Sequence, residues 1–204
     1  MNRLWRIFLS LLFVAVMCGS CGSTTEESNS DQKEDIIDYL ESSHSPKLIA
    51  ESDIAESLVD EPNFYVMRGS TTFRYIEDYY NAERATKAEI IKGSNITMTF
   101  ELYDFTSISA PTSDVLLYTN NAAYKSTLEE LGLNTTYWSF EPKAITVGSG
   151  AIFSSVESLL VGCREGDTIE FYLTVDEAYG DSYMGVATLE APLALFVYID
   201  SVEN

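Results

Sequence analysis

The 204-residue chain carries 32 Asp and Glu against 12 Lys and Arg, a formal charge of -20, with 46% hydrophobic and 12% aromatic residues. This is a globular composition. Its acidity argues against binding a phosphate backbone, which needs clustered cations, and against electrostatic docking on anionic lipid.

The chain has a single histidine, His44, and three cysteines, Cys18, Cys21 and Cys163. Sites built from several His ligands or from paired C-x-x-C motifs are excluded, and no metal or cofactor is expected. Arg3 and Arg6 form a basic start, followed by the apolar run IFLSLLFVAVM at 7–17. That run is short of the ~20 residues of a spanning helix and fits the core of a secretory signal. Gly19 and Ser20 then precede Cys21. The pattern resembles a bacterial lipoprotein signal, in which a small residue precedes a lipidated cysteine. It implies a signal peptide over 1–20, a lipid on Cys21 and a place in the cell envelope, at the outer membrane. One departure is Cys18, where such signals usually carry Leu or Val. The alternative is a plain cleaved signal that leaves Cys21 as a free thiol.

Residues 21–35 are polar and acidic, and read as a flexible tether. Residues 36–63 read as a small helical segment. Ile36, Ile37, Tyr39 and Leu40 form one helical pattern, broken at Ser45-Pro46. Ile49, Ile54, Leu58 and Val59 form a second, ended by Glu61-Pro62. His44 lies between them in a polar loop, where a solvated imidazole is expected.

From residue 64 the period becomes two. Residues 64–67 and 73–80 read as strands, although the aromatics of the second do not alternate cleanly. In NITMTFELY, Ile96, Met98, Phe100 and Leu102 share one face. In TIEFYLTV the inward set is Ile169, Phe171, Leu173 and Val175. In LALFVYI it is Leu193, Leu195, Val197 and Ile199. Tyr172, Phe196 and Tyr198 fall on the outer face, under the N-terminal segment. Ser154 and Glu157 have capping-box spacing and open a helix with Val156, Leu159 and Leu160 on its apolar side. A shorter helix is expected at 127–131, closed by Gly132. The class is α+β, a curved antiparallel sheet against one short helix. The pairing of residues 64–92 stays open.

The stretch AITVGSGAIFSSVESLLVGCREGDTIEFYLTVDEAYGDSYMGVATLEAPLALFVYIDSV resembles the FKBP-type peptidyl-prolyl cis-trans isomerases. Val147-Gly148 ends the first strand, and Ile152-Phe153 stands in the place of the Val-Ile pair that opens the family's helix. Gly166-Asp167 is the turn, Ala178-Tyr179-Gly180-Asp181 matches the signature, and Pro192-Leu193 opens the last strand. The resemblance implies an FKBP-like domain over 64–204, a curved antiparallel sheet wrapped on one short helix behind a small N-terminal helical extension. It implies a pocket of Tyr179, Phe153, Ile152, Val156, Phe100 and Leu195, in which the Tyr179 hydroxyl and the Phe153 N–H bind the ligand. Its partners would be proline-containing polypeptides in the envelope, with no nucleic acid involved. Several positions depart from the pattern. Phe100 replaces a tyrosine, Val156 a tryptophan and Leu195 a phenylalanine, and Thr119 stands in the place of an aspartate. Lys143 or Ala144 stands where a pocket aromatic is common, a space that Trp138 or Phe140 could fill. Two functions follow. One is isomerisation of X-Pro bonds in exported polypeptides, which needs neither nucleophile nor metal. The other is a catalytically silent envelope lipoprotein serving as a peptide-binding, chaperone-like or structural module.

Overall fold

The computed structural model describes residues 24–44, 47–50, 64–68, 72–178 and 191–204. Four α-helices lie among them: α1 (Thr24–Ser43), α2 (Lys125–Glu130), α3 (Ser154–Leu160) and α4 (Val175–Ala178). The strands are β1 (Lys47–Ala50), β2 (Phe64–Arg68), β3 (Thr72–Ile76), β4 (Asn95–Asp104), β5 (Leu116–Thr119), β6 (Lys143–Thr146), β7 (Thr168–Leu173) and β8 (Leu193–Glu203).

All eight strands join one sheet in the order β1-β2-β3-β7-β8-β4-β5, with β6 also paired to β4. The α+β class and the sheet wrapped on one short helix are those expected from the sequence. One edge differs from a wholly antiparallel sheet, because β1 pairs with β2 in parallel, Lys47 opposite Phe64. A parallel pair needs a crossover of about a dozen residues, and 51–63 separate these two strands. The long strand β4 lies against β8 from Asn95 to Asp104. Its other edge is shared end to end by β6, at Asn95–Met98, and by β5, at Glu101–Tyr103.

Strand alternation produces two apolar layers. Ile96, Met98, Phe100 and Leu102 of β4 face inward with Ile169, Phe171 and Leu173 of β7 and Leu193, Leu195, Val197 and Ile199 of β8. Helix α3 closes this layer with Val156, Leu159 and Leu160. Arg74 of β3 fixes the far end of α3, its Nη1 donating to the carbonyls of Leu159 at 2.7 Å and Val161 at 3.1 Å. A guanidinium there meets the negative end of the helix dipole. On the opposite face Tyr172, Phe73, Tyr103 and Phe105 pack with Ile36, Tyr39 and Leu40 of α1. Tyr172 is wholly buried and Phe196 half-buried under α1, while Tyr198 stays 46% exposed. Every residue of β3 is buried, because α1 covers one face and α3 the other. Within β3, Phe73 and Tyr75 share the face toward α1 and Arg74 lies on the other; residues 77–80, which hold Tyr79 and Tyr80, form a turn outside the strand.

The N-terminal expectations need three corrections. Residues 24–35, read as tether, are the first half of α1. A polar helix of this kind gains little from its own propensity. Docking supplies the rest, since fully burying a side chain such as Ile36 or Leu40 stabilises by about 1.5–3 kcal/mol. The second helical pattern starts in a strand, because 47–50 is β1; Ile54, Leu58 and Val59 lie outside the described residues. His44 is not simply solvated. Its ring lies 5.8 Å from that of Tyr39 and 6.2 Å from that of Tyr75, and its Nε2 is 3.9 Å from the Glu170 carboxylate.

Candidate functional site

The site positions gather where the β6–α3 loop meets the middle of β4. Gly148 and Gly150 have φ of +91° and +77°, a left-handed conformation that glycine adopts without cost. The loop therefore turns its N–H groups to one side, forming a nest for an anion. Glu157 fills the nest. Its Oε2 accepts from Gly148 N at 2.7 Å and Gly150 N at 3.1 Å; its Oε1 accepts from Ala151 N at 2.6 Å and Ile152 N at 3.1 Å. The carboxylate is only 4% exposed. This corrects the capping-box reading. Phe153 occupies the N-cap without a side-chain cap, and Glu157 reaches past the helix start into the loop, where four donors converge. The Gly-Ser-Gly at 148–150 is the sequence signal for the nest. The series of bound amides stops at Ile152, one short of Phe153.

Five of the six expected pocket residues do come together, but as core. Ile152, Val156 and Leu195 are 0% exposed, Phe100 2% and Phe153 3%, all within the inner apolar layer. Tyr179, the sixth, lies outside the described residues. Helix α4, which runs up to it, is held beside α3 by Ser155 Oγ donating to the Glu177 carbonyl at 3.2 Å.

Around Phe100 the structure has features that motif reasoning missed. Between the start of β6 and the end of β5, the edge of β4 has no strand partner at Thr99 and Phe100 among the described residues. Asn120 fills the gap as a stand-in for a peptide group. Its Oδ1 accepts the Phe100 N–H at 2.7 Å, and its Nδ2 donates to Met98 O at 2.9 Å and Glu141 O at 3.1 Å. Thr119 Oγ1 donates to the Phe100 carbonyl at 2.6 Å. The residue in place of the family's acid thus serves the backbone, and is 0% exposed. An Asn after a strand is also common in turns, so the sequence signal for this role is slight.

An aromatic run leads outward from Phe100. Its ring centroid lies 5.4 Å from Tyr118, and Tyr118 meets Trp138 edge-on at 5.2 Å. Trp138 stacks on Phe140 at 6.2 Å, and Lys125 Nζ sits 5.9 Å from the Phe140 centroid. Tyr118, Trp138 and Phe140 are half-buried, whereas Ala144 is exposed. Trp138 is linked to Phe100 through Tyr118.

On the outer face of β4, Tyr103 donates to Glu101 Oε2 at 2.7 Å, and Tyr124 donates to the same oxygen at 3.2 Å. Burial above all, then hydrogen bonds to Tyr124 and Glu101, raises the Tyr103 pKa far above that of a free tyrosine.

No cluster of three or more His, Cys, Asp or Glu among the described residues is placed to hold a metal. Both oxygens of Glu157 are committed to amides, so it is not placed to move a proton. The arrangement offers half-buried rings that stack on and desolvate an apolar or proline-rich segment.

No family model and no curated protein matches the sequence. Among solved structures, the chain is similar to the crystal structure of the three FKBP domains of wheat FKBP73, at a TM-score of 0.46 and 8% identity. The match covers 69% of this chain and 50% of that one, so it spans half the length of the wheat chain.

Proposed function

We propose that this chain is an FKBP-like lipoprotein of the bacterial envelope, anchored through Cys21 in the outer membrane. In this reading it binds proline-containing segments of exported polypeptides without appreciable isomerase activity. The observation that supports it is the burial of five expected pocket residues: Ile152, Phe153, Val156, Phe100 and Leu195 are at most 3% exposed. An isomerase must hold a twisted amide better than either planar form. Side chains packed against one another cannot enclose a prolyl ring. The half-buried Tyr118, Trp138 and Phe140 can still take a peptide on their faces.

A second reading, weak isomerisation, is favoured by one feature. The amide of Phe153 follows directly after those bound by Glu157, at the edge of the same apolar layer. Each tenfold in rate requires ~1.4 kcal/mol of transition-state binding, so one added donor changes turnover measurably.

The binding reading is tested by titrating proline-containing peptides into the full chain by isothermal titration calorimetry. Trp138→Ala should weaken affinity about tenfold, the equivalent of 1.4 kcal/mol. Unchanged affinity in that variant would remove the aromatic run from the binding surface.

A further inference from the structure

Helix α1 and the anchor proposed at Cys21 together determine how the domain meets a bilayer. Only Gly22 and Ser23 separate Cys21 from Thr24, the first residue of α1. Three residue steps reach at most about 10 Å. The helix is not free to swing on this short link, because Ile36, Tyr39 and Leu40 are buried against the outer face of the sheet. Its N-terminal half is also tied to α4. Gln32 Oε1 accepts the Val175 N–H at 3.0 Å, and Asn29 Nδ2 donates to Asp176 Oδ2. From Thr24 to Asn29 a helix rises about 8 Å. An acyl group on Cys21 is therefore held within about 20 Å of α4. The start of α3 lies at this same end, through the bond from Ser155 to Glu177. Ser42 and Ser43, at the other end of α1, share a groove with Thr106, Ser107 and Ser109. Ser43 is about 20 Å farther along the helix axis than Asn29.

The solvent side of α1 decides the tilt. Asp31, Glu34, Asp35, Asp38 and Glu41 are all exposed, and Lys33 is the single basic residue of the helix. A helix that lies flat on a membrane presents Lys and Arg to the headgroups. The five carboxylates along this side are repelled by an anionic leaflet, more than the two, Asp176 and Glu177, that α4 brings to the end.

We infer that the anchored chain stands end-on at the bilayer. The end built from α4 and the start of α3, which carries Phe153 and Val156, faces the lipid surface, and the end carrying Ser42 and Ser107 points away. The inference rests on the proposed acylation of Cys21. Its consequence is that the start of α3, with the Phe153 amide, lies on the lipid side.

The test uses the full chain purified from membranes, with its mass measured to detect the acyl group. A donor dye is placed on Ser154→Cys or on Ser107→Cys, both exposed positions. Acceptor dyes are carried on headgroups of phosphatidylethanolamine–phosphatidylglycerol vesicles. The Ser154 donor should be quenched at several-fold lower acceptor density than the Ser107 donor. Equal or reversed quenching in acylated protein would overturn the orientation alone. A chain that lacks the acyl mass and does not bind vesicles would overturn the anchor, and the orientation with it.

Discussion

Four backbone N–H groups converge on the carboxylate of Glu157, and Glu157→Gln would set an amide NH2 against some of them. With a buried charge-assisted set broken, stability should fall by about 3 kcal/mol, read from the urea midpoint at constant m-value. A shift under 0.5 kcal/mol would mean that the loop holds itself. Asn120→Ala makes a second test. It leaves the Phe100 N–H and the Met98 carbonyl without their partner, at about 1–3 kcal/mol. Exchange of the Phe100 amide should then accelerate well beyond that of its β4 neighbours. Tyr103 adds a dependence on pH. Its pKa is raised from the ordinary 10.0 by burial first, then by Tyr124 and Glu101. The folded state thus holds a proton that the unfolded chain releases above about pH 10. The stabilisation is complete below that pH and is lost as pH rises toward the folded pKa. Unfolding free energy should fall between pH 9 and pH 11, and Tyr103→Phe should flatten that slope. At this scale the sequence was least legible. Glu157 read as a capping partner and Thr119 as a replaced acid. Their roles depend on a loop turned by Gly148 and Gly150 and on a gap between β5 and β6, and neither is local in sequence.

Elements were legible wherever one face is wet. β4, β7 and β8 alternate inward and outward, and their inward sets are the ones read from the period of two, except that Val175, read as the last inward residue of β7, opens α4. β3 has no wet face, because helices cover both, and Tyr79 and Tyr80 lie in the turn after the strand. α1 was cut short because its first half is acidic and polar, so its stability comes from docking rather than propensity. Leu40→Ala tests this. Leu40 is wholly buried against the sheet, and its truncation should cost about 2–5 kcal/mol. Amide exchange in α1 should rise more than exchange in α3. Uniform loss of protection across the sheet would instead make α1 inseparable from the core.

For the whole molecule, the α+β class and the order of turns and strands toward the C-terminus could be read from residues 143–203. The parallel β1–β2 edge could not, since only the folded chain brings 47–50 beside 64–68. The candidate pocket was legible as a set of positions, five of which are buried in the inner apolar layer. Ile152, Phe153, Val156, Phe100 and Leu195 suit either a pocket wall or a core, and only packing decides between them. That packing underlies the central claim, a peptide-binding module with little or no catalysis. The most direct measurement is the cis/trans exchange rate of short X-Pro peptides, followed by NMR with and without the full chain. Uncatalysed exchange takes tens to hundreds of seconds. The account predicts shifted peptide signals with exchange at the uncatalysed rate, across several residues before proline. Faster exchange that is lost in Trp138→Ala would contradict it and make the chain an isomerase.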